Sequence, residues 1–449
     1  MAVSLSDHEK ALLGDSQGDG VAGAGTALAM RLVVRLAEAM GARSLLAITG
    51  AHIDSCLYHG RSSLDFAERM VAGGAEVVVP TTLNVSSLDL LHPELFRGDE
   101  ETRRDAKALM DAYVAMGCEP TWTCAPYQRP DDRRPGLGDH VAWAESNAIV
   151  FANSVLGART HRYGDFIDIA AAVTGRVPDA GLHRSENRVA TIVIDVSGLP
   201  AELLASDVVY PVIGFLVGRR CGSSIPAIIG LPDTVAARER EHNLKALGAA
   251  AASSGSLAMF HAVGVTPEAP TLEAACGGAV PPADGEHHHR VTAADCHRAR
   301  DELSVAVGGE PGRPLSTVSL GTPHYSVAEI GVLAGLLAGR SVDPSVDVYV
   351  STGREVLTEA GLRGWVDPLV AAGITFVTDT CTYITPIVRN TEGLAMTDSA
   401  KWAYYAPGNI GVDVVFGSIR ECVESAVAGR IVRDEALWSG AADGADGRR

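Results

Sequence analysis

The stretch Val346–Arg354, VDVYVSTGR, carries the clearest fold signal in the sequence. A mostly apolar, β-branched run passes directly into Ser351, Thr352 and Gly353, which is typical of a buried strand that ends in a turn. Similar runs predict strands over 317–320, 375–377 and 412–416. Helix-length segments separate these runs, so we expect βα units around largely parallel sheets and an α/β fold.

All four of these predicted strands end in polar, reactive or Gly-containing residues. The turns are GTPH (321–324), STGR (351–354), TDTC (378–381) and GS (417–418). Ligands of open parallel sheets collect at the carboxyl ends of the strands, where free backbone N–H groups also favour anions. One such turn could simply cap a helix, but four in one half of the chain favour a shared site.

The first half has polar clusters of the same kind. Strands predicted over 44–49 and 76–79 precede AHIDSC (51–56) and PTTLN (80–84), and TWTCAPY (121–127) follows a helix that ends near Met116. Cys56, Cys124 and Cys381 therefore lie in turns or loops. A single free cysteine usually behaves as a small buried hydrophobe, and without a C-x-x-C motif three isolated ones are a weak metal signal.

Composition excludes several classes of protein. The chain has 449 residues, 37 Lys plus Arg against 55 Asp plus Glu, and a formal net charge of −18, which argues against a nucleic-acid or anionic-membrane surface. No run of about eighteen apolar residues is present, so no membrane span is expected. Eight scattered cysteines do not form a disulfide framework, and the polar N-terminus is not signal-like. We expect a cytoplasmic protein with reduced thiols.

Domain boundaries are predicted from loop composition. CGGAVPPADGEHHHR (276–290) is rich in Gly, Pro and charge and precedes a new αβ series. We therefore expect an N-terminal α/β part over 1–285 with the cysteine-bearing loops of the first half, and a C-terminal α/β part over 286–435. The small, polar stretch AADGADGRR (441–449) predicts a flexible tail, which we place over 436–449.

Several of these motifs resemble those of the aconitase X family: AHIDSCLYHG (51–60), EPTWTCAPY (119–127), LGTPHYSVAEI (320–330), TDTCTYI (378–384) and MTDSAKWAYYAPG (396–408). The resemblance implies a hydro-lyase with an aconitase-like arrangement of several parallel or mixed sheets, flanked by helices around a central cleft. It covers the large, catalytic part of such an enzyme. A small swivelling domain on a separate chain, and so a heterodimer, is implied as well.

The resemblance also implies an iron–sulfur dehydratase. Family members dehydrate cis-3-hydroxy-L-proline to Δ1-pyrroline-2-carboxylate or, in an archaeal branch, mevalonate 5-phosphate. By motif, Cys124 and Cys381 fall at cluster-ligand positions. Where the archaeal form has a cysteine before Pro-His, this chain has Thr322, and Cys56 is the natural replacement ligand. This pattern favours the hydroxyproline branch and leaves the nuclearity of the cluster open.

Dehydration of a 3-hydroxyproline requires a carboxylate clamp, a base near the α-carbon and an acid or Lewis acid at the hydroxyl. The candidates for orienting the substrate are Thr82, Asn84, Arg159, Ser351, Arg354 and Lys401. The acid–base candidates are Glu145, His324 and Ser399, and the base could also come from the partner chain.

Simpler roles are open for several of these residues. His324 could cap a helix, and Glu145 could be a surface carboxylate. Arg159 could be an ordinary ion-pair partner, and Lys401 could pack across Trp402.

Two other functions stay in play beside the hydroxyproline dehydratase. A mevalonate 5-phosphate dehydratase would need several cationic groups around one phosphate, and the strand-end loops are poor in basic residues. A non-catalytic subunit with a degenerate cluster site is the other alternative, because Thr322 stands where a ligand is expected. The expected ligand is a small hydroxy acid.

Overall fold

The structure is a computed structural model that describes residues 3–14, 23–233, 237–304 and 310–439. The chain forms two compact units, Met1–Val189 and Ala190–Arg449. Residue 285, where the sequence predicts a boundary, lies inside the second unit, just before the strand His288–Arg290. Of the predicted tail, Ala436–Ser439 is a short helix, and residues 440–449 lie outside the described residues.

The N-terminal unit is built on two small sheets. Its helices are α1 (Asp7–Leu13), α2 (Ala24–Ala39), α3 (Arg61–Ala72), α4 (Glu100–Ala115), α5 (Ser146–Phe151) and α6 (Ile167–Thr174). Its strands are β1 (Leu45–Ala47), β2 (Ala51–Ile53), β3 (Thr81–Leu83), β4 (Ala142–Trp143) and β5 (Arg176–Pro178). β1 and β5 pair antiparallel, and the order β3-β2-β4 forms a parallel sheet.

The predicted strand over 76–79 is wrong, because the strand of this region is β3 at Thr81–Leu83. The backbone N–H of Val77 donates to Met116 O and that of Val78 to Ala172 O. Two different segments therefore satisfy neighbouring residues, and no ladder with one strand forms. Val78 is also 65% exposed, whereas a strand inside a covered parallel sheet would be buried on both faces.

The C-terminal unit contains the larger sheets. Its helices are α7 (Ala201–Leu204), α8 (Val209–Cys221), α9 (Ala237–Gly255), α10 (Leu272–Ala275), α11 (Ala293–Glu302), α12 (Val327–Leu337), α13 (Arg354–Leu362), α14 (Val366–Ala371), α15 (Ala400–Ile410), α16 (Ile419–Ala428) and α17 (Ala436–Ser439). Its strands are β6 (Ile192–Asp195), β7 (Pro226–Ile229), β8 (His261–Ala262), β9 (His288–Arg290), β10 (Thr317–Tyr325), β11 (Asp347–Thr352), β12 (Ile374–Val377), β13 (Leu394–Thr397) and β14 (Asp413–Phe416).

Both sheets of this unit are parallel. One has the order β8-β7-β6-β9, and the other has the order β12-β11-β10-β13-β14. The four strands predicted in the C-terminal half are all members of the second sheet, and their carboxyl ends share one edge. The α/β class with several parallel sheets flanked by helices is therefore confirmed.

Helices α8 and α9 approach each other closely because glycines face the contact. A Cβ on Gly214 would lie 2.1 Å from Leu247 O, and one on Gly255 would lie 2.0 Å from Gly218 O. This packing holds α9 in place and with it Lys245, a buried residue near the middle of the helix.

None of the described helices combines the length and the apolar character needed to cross a bilayer.

Candidate active site

In the N-terminal unit, Cys56 follows β2 and packs in the hydrophobic core. Its sulfur lies 3.4 Å from both Ile53 O and Asn84 O, and its side chain is fully buried. Burial, with Asp54 and Asp168 close by, raises the pKa of this thiol well above its usual value. These surroundings favour a thiol that donates to carbonyls, whereas a metal ligand is a thiolate. The role of Cys56 as a cluster ligand stays a prediction.

Beside Cys56 lies a buried network of carboxyl groups. The side-chain amide of Asn84 donates to Asp54, while Asp168 accepts from the backbone N–H of Asp54 at 2.8 Å and from the Ser55 hydroxyl at 2.8 Å. Burial, reinforced by Glu145, raises the pKa of Asp54 to about 7, and burial raises that of Asp168 to about 6. Two carboxyl groups of this unit can therefore exchange protons near neutral pH.

Thr82, a predicted substrate-orienting residue of β3, contacts an unusual histidine. Its hydroxyl lies 2.8 Å from Nδ1 of His52, which is fully buried on the neighbouring strand β2. Burial, together with the charge of Arg129, lowers the pKa of His52 to about 3. The imidazole is therefore neutral at physiological pH, and the Thr82 hydroxyl is engaged with it.

Glu145 caps the N-terminus of helix α5 and is 4% exposed, so the surface alternative for this residue is wrong. Its carboxylate accepts from the backbone N–H of Ala148 at 2.8 Å and from the side-chain amide of Asn147. Asn147 also donates to the carbonyl of Cys124 at 2.9 Å and accepts from the hydroxyl of Tyr127. Glu145 and Asn147 thus fix the loop that carries the buried thiol of Cys124.

Arg159 holds a loop of its own unit. Its guanidinium donates to His183 O at 2.8 Å and to the Ser185 hydroxyl at 2.9 Å. Both contacts are to uncharged groups and anchor the segment that follows β5. The prediction that Arg159 orients substrate is not tested by these contacts.

In the C-terminal unit, His324 and Cys381 lie together at the carboxyl edge of the five-stranded sheet. Candidate ligand atoms of the two side chains are within 4.8 Å of each other, and both side chains are buried. His324 Nε2 lies 3.1 Å from Thr380 O, directly before Cys381. An imidazole and a thiol are ligand types used by iron and iron–sulfur centres, so this pair suits a metal group.

The loop that carries Cys381 is fixed by Arg354 at the start of α13. Its guanidinium binds both carboxylate oxygens of Asp379, at 2.6 Å each, and Asp379 is fully buried with a positive φ of 61°. A two-point pair of this kind is a strong constraint on geometry. The first role of Arg354 visible in the structure is therefore to hold the loop before Cys381.

A small cleft opens at the same edge of the sheet. Its polar lining comes from Lys245, Thr322, Tyr325, Glu329, Asp398, Ser399 and Lys401. The Ser399 hydroxyl donates to Thr322 O and accepts from the backbone N–H of Trp402, so it caps α15 and joins that helix to β10. Lys401 is 4% exposed in this lining. Ser399 and Lys401, both predicted from sequence, thus share one cleft.

Two further features of this cleft involve buried charge. The Tyr325 hydroxyl donates to Asp398, and burial raises the pKa of Asp398 to about 7. Lys245 of α9 donates to both oxygens of Glu329, at 2.6 and 2.7 Å, and to His324 O at 3.3 Å. The cleft therefore contains Asp398, whose carboxyl can hold a proton. It also contains the Lys245–Glu329 ion pair, which fixes β10.

Sequence reasoning did not single out Asp54, Tyr325, Asp398 or Lys245. The first three lie inside the quoted motifs HIDSC, PHYS and MTDSAK, so the motifs could have pointed to them. Lys245 had no such signal. Its helix has an ordinary sequence, and only the packing of α9 brings this side chain to β10. Ser351, a predicted substrate-orienting residue, is fully buried, and its hydroxyl lacks a hydrogen-bond partner within the described part of the chain.

The fold and these buried groups define an α/β enzyme with acid–base groups at the ends of parallel strands. Family profiles identify the aconitase X first domain at residues 2–186, the second domain at 190–301 and the third at 315–428. The solved holo-form structure of aconitase X from Thermococcus kodakaraensis matches 94% of this chain and 100% of its own, with a TM-score of 0.79 and 29% identity. The chain belongs to the aconitase X family.

Two groups of curated relatives are similar over most of the chain. A cis-3-hydroxy-L-proline dehydratase of Pseudomonas aeruginosa is 43% identical over 97% of this chain and 72% of its own length. A protein of the same name from Hypocrea jecorina is 40% identical over 96% and 69%. The phosphomevalonate dehydratase large subunit of Methanothermobacter thermautotrophicus is 36% identical over 89% and 94%.

Proposed function

We propose that this chain is the large, catalytic subunit of an iron–sulfur hydro-lyase that dehydrates cis-3-hydroxy-L-proline to Δ1-pyrroline-2-carboxylate. The observation that carries this proposal is the ranking of the relatives. The two cis-3-hydroxy-L-proline dehydratases are 40–43% identical over almost the whole chain, and the large subunits of phosphomevalonate dehydratases are 31–36% identical. The reaction class, elimination of water, is common to both groups of names.

The reaction removes the α-proton and the 3-hydroxyl of the ring, and the enamine product tautomerises to the cyclic imine. One group must accept the α-proton, and the departing hydroxide must receive a proton or meet a Lewis acid. The described residues supply candidates for the proton transfers in each unit: Asp54 and Glu145 in the first, and His324 and the Tyr325–Asp398 pair in the second. Lys401 is the candidate partner for the substrate carboxylate.

An iron–sulfur cluster would supply the Lewis acid for the hydroxyl. We propose Cys124 and Cys381 as its thiolate ligands, as the family motifs imply, and Cys56 as the third. The pairing of Cys381 with His324 at a buried edge supports a metal group, because soft thiolate and imidazole donors suit iron. The loops that carry Cys124 and Cys381 are each held by a dedicated side chain, Asn147 and Arg354, which suits ligands that must keep their position.

We propose a small partner subunit on a separate chain. This chain matches 94% of the length of a protein named as a large subunit, and only 72% and 69% of the two cis-3-hydroxy-L-proline dehydratases. The name of the Methanothermobacter relative, a large subunit, supports a second polypeptide as the partner.

The competing substrate is mevalonate 5-phosphate. A phosphate dianion needs cations that are not already neutralised. In the C-terminal unit, Lys245 is paired with Glu329 and Arg354 with Asp379. Because both of these cations are already paired, they favour cis-3-hydroxy-L-proline, which has one carboxylate and no phosphate.

The test is anaerobic purification of the chain with its small subunit, followed by measurement of iron, sulfide and visible absorption. Each of the two substrates is then supplied alone, and loss of water is followed by mass spectrometry. We expect a cluster and turnover of cis-3-hydroxy-L-proline. Turnover of mevalonate 5-phosphate alone would contradict the substrate, and a cluster-free, inactive complex would support a degenerate subunit.

A further inference from the structure

Thr322 has a hydroxyl that the fold buries without using. The residue lies near the carboxyl end of β10 and is 4% exposed. Its Oγ1 atom has no hydrogen-bond partner among the residues that the structure describes. A buried polar atom left unpaired costs about 1–3 kcal/mol, so a bound molecule that pairs with this atom would be stabilised by it.

The backbone around Thr322 is held firmly in place. Its carbonyl accepts from the Ser399 hydroxyl, and the carbonyl of His324 accepts from Lys245 Nζ at 3.3 Å. On the other side, Gly321 has a φ of +86°, and a Cβ there would lie 2.1 Å from Ser351 O. The strand can approach β11 this closely only because residue 321 is glycine. The position of the Thr322 side chain is thus determined by contacts on both sides.

The chemistry of the cleft decides which group Thr322 can bind. Thr322 lines the cleft together with Ser399 and Lys401. An ammonium group is the natural partner of the single carboxylate of a proline, and Lys401 places an ammonium group in this lining. A neutral hydroxyl that can both donate and accept matches another alcohol. The alcohol of the proposed substrate is its 3-hydroxyl.

We propose that Thr322 Oγ1 hydrogen-bonds the 3-hydroxyl of the substrate and selects hydroxylated prolines. This inference rests on the proposed function and deepens it. It gives residue 322 a positive role in a position that the motif comparison interprets as a lost cluster ligand. The contact is made to the group that leaves, so its loss affects the elimination and leaves the binding of the imine product unchanged.

The test compares three variants in the assembled two-subunit enzyme. Thr322→Val removes the hydroxyl with little change of shape, and Thr322→Ser keeps it. Thr317→Val is the matched control, because Thr317 is a fully buried threonine at the opposite end of the same strand. Iron and sulfide content, kcat/KM for cis-3-hydroxy-L-proline and the product inhibition constant are measured for each.

We expect Thr322→Val to lower kcat/KM by about 10- to 100-fold, with Thr322→Ser within about fivefold of the wild type. Thr317→Val should keep the wild-type kcat/KM. Iron content and the inhibition constant of the product, which has no 3-hydroxyl, should be unchanged in all three.

Three results would overturn the inference. An unchanged kcat/KM in Thr322→Val would show that the hydroxyl binds nothing. A loss of iron in that variant would place the hydroxyl at the cluster. A product inhibition constant that weakens as much as kcat/KM would show that Thr322 contacts another part of the ligand. Failure of the wild type to turn over cis-3-hydroxy-L-proline would refute the proposed function itself and is seen before any variant is made.

Discussion

The strand ends of the N-terminal unit and those of the C-terminal unit use polar residues in different ways. In the first unit, burial raises the pKa of Asp54 to about 7 and that of Asp168 to about 6, and neighbouring carboxylates add to both shifts. In the second unit, the cations Lys245 and Arg354 are each paired with a carboxylate, and the hydroxyls of Thr322 and Ser351 have no hydrogen-bond partner among the described residues. The first edge is built to hold protons, and the second to position a ligand.

Each edge therefore offers, within its own unit, a different kind of chemistry for elimination of water. A group with a pKa near neutrality can accept or return a proton at low cost, which suits the proton-transfer part of the reaction. Fixed hydroxyls and neutralised cations do not store protons, but they orient a bound molecule. The C-terminal edge also contains one carboxyl that can carry a proton, Asp398, so the two edges differ in degree.

The largest effect is expected at Cys381, which we propose as a cluster ligand. Cys381→Ala should remove iron and lower dehydratase activity by about 1,000-fold or more, because the Lewis acid is lost. Cys422→Ala, a buried cysteine of α16, is the control and should keep its iron. Iron analysis and visible absorption are the measurements.

The same experiment sharpens the comparison at Cys56. If Cys56 is a ligand, as the family motif predicts, Cys56→Ala should lose iron to the same extent as Cys381→Ala. If its thiol only donates to Ile53 O and Asn84 O, the variant should keep its iron and lose stability. Retained iron would remove Cys56 from the ligand set.

A smaller effect is expected at the ion pair of the cleft. Lys245→Met should lower the free energy of unfolding by about 3 kcal/mol, because it leaves Glu329 without its partner in a largely buried place. Adding Glu329→Gln to this variant should recover part of the loss. Urea unfolding measures both, and a loss below about 1 kcal/mol would show that the pair is effectively exposed.

The raised pKa values of Asp54 and Asp398 predict a pH dependence in both units. Each folded-state pKa is about 7, above the unfolded value near 3.8, so the folded state keeps a proton that the unfolded chain releases. The stabilisation is complete below about pH 4 and is lost as the pH rises to about 7. Asp54→Asn and Asp398→Asn should each remove that residue's share of this change and leave the share of the other carboxyl, as followed by unfolding at several pH values. Parallel curves for variant and wild type would contradict the assignment.

The smallest effect is expected at Arg159. If it only anchors the loop at His183 and Ser185, Arg159→Lys should lower stability by about 1 kcal/mol and leave KM unchanged. A KM raised tenfold with unchanged stability would instead support the predicted contact with substrate. Steady-state kinetics and thermal unfolding together separate the two results.

The sequence predicts the five-stranded sheet of the C-terminal unit better than the three-stranded sheet of the N-terminal unit. β10, β11, β12 and β14 have β-branched runs, and all four strands are confirmed. Two of the predicted turns are wrong in part, because β10 continues through GTPH (321–324) to Tyr325 and β11 continues through Ser351 and Thr352. β13 was missed because Leu394–Thr397 is short and merges with the polar motif that begins helix α15. The strands of the three-stranded sheet, β2, β3 and β4, are only two or three residues long. Local sequence pattern therefore could not separate β3 from the extended loop before it.

The residues of the candidate site that lie in sequence motifs could be predicted. Those that only helix packing brings to the site could not. Ser399, Lys401, His324 and Cys381 were named from turns and motifs, and they lie at one edge of the second sheet. Lys245 reaches that edge because glycines let α9 pack closely on α8, which no local spacing reveals. The role of Glu145 as a helix cap also could not be predicted, because it is recognised only from the buried position of the side chain in the structure.

The most direct test of the account is the reaction of the anaerobic two-subunit enzyme with cis-3-hydroxy-L-proline. The account predicts bound iron and sulfide, one water lost per substrate molecule and Δ1-pyrroline-2-carboxylate as the product. An enzyme that has its cluster, leaves cis-3-hydroxy-L-proline unchanged and dehydrates mevalonate 5-phosphate would contradict it.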